Sequence, residues 1–193
     1  MPKRPGLALA LVLLMLMGSA QAAEVAGVKL PDSVRLGNAD LVLNGAGIRT
    51  RFVVKVYVGA LYMTEKKAAA AEAIALRGPK RISLHMLRDL TSDQFASALD
   101  EGLKANLTAP EQEKLAPQLD ALRATMAAVG AVKEKSVLTI DYAPDSNATR
   151  LILDGAQKGN PIPGEDFYRA LMKIWLGDKP VDSGLKAGML GQG

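Results

Sequence analysis

The chain has 193 residues, of which 49% are hydrophobic, 24 are Lys or Arg, 20 are Asp or Glu and none is Cys. The lack of Cys excludes disulfides and a lipid-modified N-terminal Cys, so packing must stabilise the fold. The formal net charge is only +4, no run of five basic residues occurs, and aromatic residues make up 4%. Nucleic-acid binding usually shows a concentrated basic stripe, so we expect no nucleic-acid partner.

Residues 1–22 have the three parts of a cleavable secretory signal. Lys3 and Arg4 give a positive start, residues 7–17 form an unbroken apolar run, and small residues follow as far as Ala22. The A-x-A rule predicts cleavage after Ala22 and export to the periplasm or out of the cell. The apolar run has 11 residues, whereas a membrane-spanning helix needs about 20, so we expect no stable membrane anchor. Residues 23–193 are expected to form a single domain.

Residues 41–63 are predicted to form two strands separated by a turn at residues 44–47, whose sequence is Asn-Gly-Ala-Gly. The second strand is predicted to be continuous and to carry its polar side chains on one face: Arg49, Arg51, Lys55 and Tyr57. Cations on a sheet face that helices cover need an anionic partner, since burying an unpaired charge is costly. Arginine can hold a carboxylate through two parallel hydrogen bonds, and a tyrosine hydroxyl can add a third. The residues alone allow either a carboxylate site or a face exposed to water.

Farther along the chain, helices and strands are predicted in blocks and not in strict alternation. Helices are predicted at 68–76, 91–106, 110–129 and 165–176, and strands at 81–87, 136–142 and 149–154. Thr91 and Gln94 fit a capping box that opens the second helix. Pro117 is expected to kink the third helix or to mark a later start. This order predicts an α+β fold with a largely antiparallel sheet and helices on one face.

The sequence offers few groups for catalysis. His85 is the only histidine and Cys is absent, so no metal site is predicted, and no motif indicates a cofactor. No G-x-S-x-G motif accompanies His85, which argues against a Ser-His-Asp triad. Tyr168, Met172 and Trp175 share one side of the last helix, and we expect them to pack in the core rather than line a ligand site.

Two adjoining segments resemble a known family. Residues 45–49 (Gly-Ala-Gly-Ile-Arg) and 54–62 (Val-Lys-Val-Tyr-Val-Gly-Ala-Leu-Tyr) are similar to the chalcone isomerase superfamily, and more specifically to its bacterial exported chalcone isomerase-like proteins. Weaker similarity lies at 90–95 and 174–181, and the order of elements fits over residues 24–190. The resemblance implies an open-faced β-sandwich, in which a layer of helices covers a large antiparallel sheet and a ligand cleft lies between them.

The resemblance also implies two kinds of function. Plant enzymes of the superfamily close a chalcone into a flavanone, whereas other members bind fatty acids without catalysis and hold the carboxylate with an Arg and a Tyr. Arg49 matches the family arginine, and Tyr57 stands where the fatty-acid binders carry Tyr and the isomerases carry Thr. Phe95 replaces the catalytic Tyr of the isomerases, and Gly102 replaces their ligand-contacting Asn. Both changes argue against chalcone cyclisation, which relies on hydrogen bonds to a developing oxyanion.

The predicted function is therefore an exported, non-catalytic binding protein for a small amphipathic carboxylate such as a fatty acid. Its predicted ligand-binding residues are Arg49, Tyr57 and Arg51. The alternatives are an isomerase or lyase that acts on another small molecule, and a structural module without a ligand.

The spacing of the first two residues needs an explanation. A straight strand would separate Arg49 from Tyr57 by about 26 Å, at ~3.3 Å per residue. Either the chain folds back between them, or Arg49 reaches the cleft from a turn, or another cation such as Arg51 is the partner of Tyr57.

Overall fold

The computed structural model describes residues 23–193, so the predicted signal sequence at 1–22 lies outside the described residues. The strands are β1 (Ala23–Val25), β2 (Val28–Leu30), β3 (Ser33–Leu36), β4 (Ala39–Arg51), β5 (Val54–Met63), β6 (Lys80–Met86), β7 (Val137–Ala143), β8 (Ala148–Leu153) and β9 (Ala156–Pro163). The helices are α1 (Ala70–Ala75), α2 (Ser92–Asn106), α3 (Ala109–Lys114), α4 (Ala116–Val129), α5 (Glu165–Leu176) and α6 (Ser183–Met189). No helix within residues 23–193 has the length and apolar character needed to cross a bilayer.

Strands β3 to β9 form one seven-stranded antiparallel sheet in which each strand pairs with the next along the chain. Strands β1 and β2 form a separate two-stranded hairpin. Every connection in the large sheet, whether a turn or a helical excursion, returns the chain beside the strand it has just left. The predicted α+β class, with an antiparallel sheet and a layer of helices, is confirmed.

Two apolar cores hold these layers together. The larger core lies between the helices and one face of the sheet, and it includes Tyr168, Met172 and Trp175 of α5, which confirms their predicted core role. The smaller core lies on the other side of strands β4 and β5, against the β1–β2 hairpin. Its fully buried members include Leu41, Val58 and Tyr62. Strand β5 is therefore covered on both faces.

The predicted turn at residues 44–47 is wrong. Strand β4 runs through these positions with a bulge at Asn44, and its pairing with β5 shifts again between Arg49 and Thr50. The chain reverses instead in a two-residue loop made of Phe52 and Val53. The loop therefore lacks the Gly, Asn or Asp that usually marks a tight hairpin turn. The predicted continuous second strand is, for this reason, the end of β4 followed by β5.

The glycines that suggested a turn serve helix packing. A methyl group added to Gly188 of α6 would lie 2.7 Å from the Cα atom of Gly47 and 2.5 Å from the carbonyl oxygen of Ala46. Both neighbours are backbone atoms, which cannot rotate away. The side-chain amide of Asn44 reinforces the contact by donating to the carbonyl oxygen of Met189 at 2.7 Å. Helix α6 thus lies directly on the backbone of β4.

The remaining elements largely follow the predictions. Thr91 and Gln94 form the capping box at the start of α2. Pro117 lies in the first turn of α4, so it marks a later start in place of a kink. Strand β9 and helix α6 are not predicted, because β9 contains Pro161 and is mostly exposed, and α6 is short and rich in glycine.

The contact between α6 and β4 generates a prediction. Gly188→Ala should destabilise the fold by about 1–3 kcal/mol, because the added methyl group overpacks against backbone. Gly193→Ala is the matched control, since its Cβ would meet only ordinary contact at 3.6 Å. Urea unfolding monitored by Trp175 fluorescence measures both, and equal stability of the two variants would contradict the close approach.

Lys80, at the start of β6, is a fully buried cation. Its ammonium group lies 3.8 Å from the carboxylate of Glu165, 3.3 Å from the carbonyl oxygen of Gly78 and 5.8 Å from the centre of the Tyr142 ring. Loss of hydration lowers the pKa of Lys80 to about 8, and the negative charge of Glu165 opposes this shift only in part. The native state therefore favours the neutral amine more than the unfolded chain does.

We expect the protein to become more stable as the pH rises from about 8 towards 10. Unfolded Lys80 keeps its proton up to about pH 10.4, so the penalty for burying its charge is complete below the folded pKa and is relieved above it. Burial raises the pKa of Tyr57 and Tyr168, so their ionisation reverses the trend above about pH 10. In the Lys80→Met variant, the free energy of unfolding measured by urea should rise less between about pH 7 and about pH 9.5 than it does in the wild type. The hypothesis fails if the variant keeps the wild-type rise.

Candidate ligand-binding site

The β4–β5 hairpin places Arg49 directly opposite Tyr57. The guanidinium carbon of Arg49 lies 5.6 Å from the centre of the Tyr57 ring, which is within the range of a cation–π interaction. The chain therefore folds back between the two residues, and the separation of about 26 Å for a straight strand does not apply. Arg51 lies at the end of the hairpin opposite Val54, so the cation beside Tyr57 is Arg49.

Tyr57 is held from the helix side by the single tryptophan of the chain. The indole Nε1 of Trp175 donates to the Tyr57 hydroxyl oxygen at 2.9 Å, and both side chains are almost completely buried. Burial raises the pKa of Tyr57, although the positive charge of Arg49 opposes the shift. The phenol stays neutral at ordinary pH and keeps its own proton to donate.

A cleft opens beside this pair, between the end of the hairpin, the segment that follows β6 and the start of α2. Its volume is about 150 Å³. Its polar lining comes from Arg49, Arg51, Arg88 and Gln94, and its apolar lining from Phe52, Val54, Val56, Leu90, Phe95 and Ala98. Tyr57 does not line the cleft but lies against Arg49, which does. The cleft thus combines positive charge with apolar walls.

The cleft arginines have no acidic partner in the described part of the chain. No carboxylate of residues 23–193 lies within 4.0 Å of Arg49, Arg51 or Arg88, and the half-buried Arg49 has no hydrogen-bond partner for its buried Nε atom. The carboxylate of Asp182 binds the backbone amides of Thr50 and Leu185 instead, at 2.8 and 2.9 Å. An unpaired cation in a partly buried position favours binding of an anion.

Arg81 provides the contrast within the same sheet. Its guanidinium group makes two hydrogen bonds of 2.6 Å to the carboxylate of Asp141, which lies opposite it on β7. That geometry is the bidentate pair by which arginine usually binds carboxylates. Arg49 has the same chemical capacity but does not use it within the fold.

Gln94 is oriented by its structural role at the start of α2. Its carboxamide oxygen accepts a hydrogen bond from the backbone amide of Thr91 at 3.1 Å. The NH2 end of the side chain is therefore the end left to donate to a ligand. No sequence pattern marks Arg88 as a cleft residue, and the capping box gives the position of Gln94 but not its place in the cleft.

The two positions at which the family resemblance sets this chain apart from the isomerases, Phe95 and Gly102, lie in different environments. Phe95 is 3% exposed and forms part of the cleft wall, where it contributes a ring without a hydroxyl. Gly102 does not line the cleft. A methyl group there would lie 2.8 Å from Cγ2 of Ile174, so this glycine allows α2 to pack closely on α5.

His85 is not part of the cleft lining. Its Nε2 atom lies 3.0 Å from the hydroxyl oxygen of Ser83, and burial lowers its pKa. Within residues 23–193, no group of three His, Asp or Glu side chains could hold a metal ion.

The fold and the cleft define an α+β protein in which helices cover one face of an antiparallel sheet, with a cation-lined and apolar-walled opening between the layers. The chain belongs to the chalcone isomerase-like family, whose sequence profile matches residues 22–191. A fatty-acid binding protein of Arabidopsis thaliana has a similar structure, with a TM-score of 0.64 and 14% sequence identity over 85% of this chain and 92% of the plant protein. At this identity the similarity shows the shared fold. No curated protein matches the sequence.

The buried contact between Tyr57 and Trp175 generates a prediction. Tyr57→Phe should destabilise the fold by about 1–3 kcal/mol, because it leaves the buried indole N–H without an acceptor. Tyr142→Phe is the matched control, since its hydroxyl bonds to the exposed side chain of Asn147, which water can satisfy. Urea unfolding should show the larger loss for Tyr57→Phe, and the reverse order would count against the contact.

Proposed function

We propose that this protein is a non-catalytic binding protein for a small amphipathic carboxylate such as a fatty acid. The observation that carries the proposal is the half-buried guanidinium group of Arg49, which stands in an apolar-walled cleft with its buried Nε unpaired. The similar fold of a plant fatty-acid binding protein supports a ligand of this class. The proposal combines a charge that needs an anion with walls suited to an alkyl chain.

Arg49 would hold the carboxylate through two parallel hydrogen bonds. Tyr57 supports the guanidinium group with its ring. Because Tyr57 does not line the cleft, its hydroxyl would reach the ligand only if the Arg49 side chain moved. Arg51 and Arg88, which are exposed at the mouth, would add long-range attraction for an anion. The first carbons of the ligand would lie against Val56, Leu90 and Phe95.

The size of the cleft restricts how much ligand it holds. Its volume of about 150 Å³ corresponds to roughly five water volumes of ~30 Å³ each, below the 300 Å³ or more of most ligand pockets. The cleft therefore accommodates a head group and the first few carbons. We infer that a longer chain extends past Phe52 and Val54 at the mouth. A cleft larger than a single water also favours ligand binding over a structural module without a ligand.

The composition of the cleft favours binding over isomerase or lyase chemistry. The titratable side chains that line it are arginines, whose guanidinium groups keep their protons at any physiological pH. Proton transfer in catalysis needs a group whose pKa lies near the working pH. Phe95 supplies no hydroxyl at the position where the isomerases carry their tyrosine.

We also propose that the protein acts outside the cytoplasm after cleavage near Ala22. The support for export is the signal-like sequence of residues 1–22, and pulse-chase labelling with N-terminal sequencing of the mature form tests it. A mature protein that begins at Met1 would contradict this part of the proposal.

Decanoate and decanol provide a direct test of the site, because they share an alkyl chain and differ in charge. Wild-type protein should bind decanoate at least tenfold more tightly than decanol, a difference of about 1.4 kcal/mol. Arg49→Ala should remove this preference, since charge-assisted hydrogen bonds contribute about 1.5–3 kcal/mol. Quenching or shift of Trp175 fluorescence reports binding, because Trp175 bonds to Tyr57 beside Arg49.

Arg35→Ala is the matched control, since Arg35 is an exposed arginine on β3 that pairs with Asp40. It should bind decanoate as the wild type does. If Arg49→Ala binds decanoate with wild-type affinity, the assignment of Arg49 is wrong. If the wild type binds neither compound, the proposed ligand class is wrong.

A further inference from the structure

The tip of the β4–β5 hairpin exposes its apolar side chains to solvent. Phe52 is 92% exposed, Val53 is 93% exposed and Val54 is 42% exposed. These are the exposed large hydrophobic residues of the part of the chain that the structure describes. Scattered single apolar residues on a surface are ordinary, but three in succession at a projecting tip indicate an interaction site.

The stability of the fold does not explain why a phenylalanine occupies position 52. Its φ angle of 56° lies in the left-handed region, which is unfavourable for a bulky side chain and has no steric cost for glycine. The ring gains no packing in return, since it is almost fully exposed. Glycine would stabilise this loop better, so the aromatic residue points to a role outside the folded chain.

Positive charge surrounds the apolar tip. Arg51 and Lys55 flank it in sequence, and Arg88 reaches the same cleft from the neighbouring segment. Residues 49–63 contain no Asp or Glu. Within residues 23–193 none of these three cations has a carboxylate within 4.0 Å. Apolar side chains surrounded by basic residues are complementary to an anionic membrane surface, where acyl chains lie beneath negative head groups.

A protein partner fits this surface less well. A stable protein–protein interface buries about 800 Å² on each partner, which involves roughly 20–30 residues a side. The tip presents three apolar side chains and no flat surrounding patch of exposed large hydrophobics. Insertion into a bilayer requires no such area, because every apolar atom that enters the acyl region leaves water.

We propose that the hairpin tip, residues 51–55, docks this protein on anionic lipid surfaces. Phe52 and Val53 enter the boundary between head groups and acyl chains, while Arg51 and Lys55 contact lipid phosphates. Phe52 and Val54 also line the mouth of the cleft, so the docked protein presents that mouth to the bilayer. Transfer of an amphipathic carboxylate between membrane and cleft would follow, a step that rests on the proposed function, whereas docking does not.

Vesicle co-sedimentation tests the docking. The purified protein is mixed with phosphatidylcholine vesicles that contain one third phosphatidylglycerol, and with pure phosphatidylcholine vesicles. We expect binding to the anionic vesicles that weakens as salt is raised, and at least tenfold weaker partitioning to the neutral ones. The double variant Phe52→Gly/Val53→Ser should lose at least tenfold in partitioning to anionic vesicles, and Arg51→Gln/Lys55→Gln should lose the preference for anionic lipid.

A folding defect cannot imitate the expected result. Phe52→Gly relieves the left-handed backbone, so this variant should melt no lower than the wild type while it binds vesicles less well. Equal vesicle binding by wild type and tip variant would overturn the proposal, as would no wild-type binding to anionic vesicles. A dimer in sedimentation velocity that the tip variant abolishes would assign the tip to a second copy of this chain and would also overturn it.

The docking and ligand proposals fail separately. Arg49→Ala should lose the preference for decanoate over decanol and keep wild-type vesicle binding. Val53→Ser, which changes a residue outside the cleft lining, should weaken vesicle binding and keep decanoate affinity. Vesicle binding without decanoate binding would support docking and refute the proposed ligand class. Decanoate binding without vesicle binding would support the ligand class and refute docking.

Discussion

The register of the β4–β5 hairpin is the constraint on which the candidate site depends. Pairing Arg49 with Tyr57 converts two residues eight positions apart into direct neighbours across two strands. A shift of one residue would turn every side chain of β5 to the opposite face of the sheet and remove Tyr57 from Trp175. Both faces of β5 are packed, with Leu61 towards the helices and Val58 towards the β1–β2 hairpin, so such a slip would expose two apolar surfaces at once.

The face of β4 that carries Arg49 explains why the cleft lies at the hairpin end of the sheet. Gly45 and Gly47 have no side chains, and α6 fills the space above them. The next residue on this face is Arg49, close to where α6 begins and where Asp182 caps the helix and also binds the amide of Thr50. Beyond that point the sheet is left for the start of α2 to cover, and the cleft lies between them. A run of small residues followed by a cation therefore sets the boundary between closed packing and open space.

Much of the fold could be predicted because its signals are local. The alternating pattern of β6, the capping box at Thr91 and the helical spacing of Tyr168, Met172 and Trp175 in α5 each depend on a few nearby residues. The reversal at Phe52 and Val53 could not be found this way, since two apolar residues between apolar runs look like continuous strand. The Gly-rich segment 44–47 has the composition of a turn, but its glycines instead allow close packing against α6, a helix more than 130 residues away.

For the candidate site too, local sequence identifies some residues, but only the tertiary structure shows which of them meet. Arg49 and Tyr57 could be selected from their chemistry and from the family resemblance, whereas their contact depended on the hairpin. The hydrogen bond between Tyr57 and Trp175 joins residues 118 positions apart, so no local spacing pattern in the sequence predicts it. Arg88 enters the cleft only because β6 ends beside the hairpin. Sequence patterns predict which residues share an element, and the tertiary register decides which elements meet.

Two locally unfavourable features of the protein lie in this one hairpin. Arg49 has a buried nitrogen without a partner, and Phe52 adopts a left-handed conformation that costs a bulky residue about 1–2 kcal/mol. Elsewhere in the sheet, Arg81 is fully paired with Asp141 at 2.6 Å. A chain that pairs one arginine so completely has the means to pair another, so the unpaired Nε of Arg49 agrees with the proposed anionic ligand. Natural proteins usually place such local losses of stability at sites that bind. If both proposals hold, the cleft and the tip form one continuous binding region, with charge at its inner end and apolar side chains at its outer end.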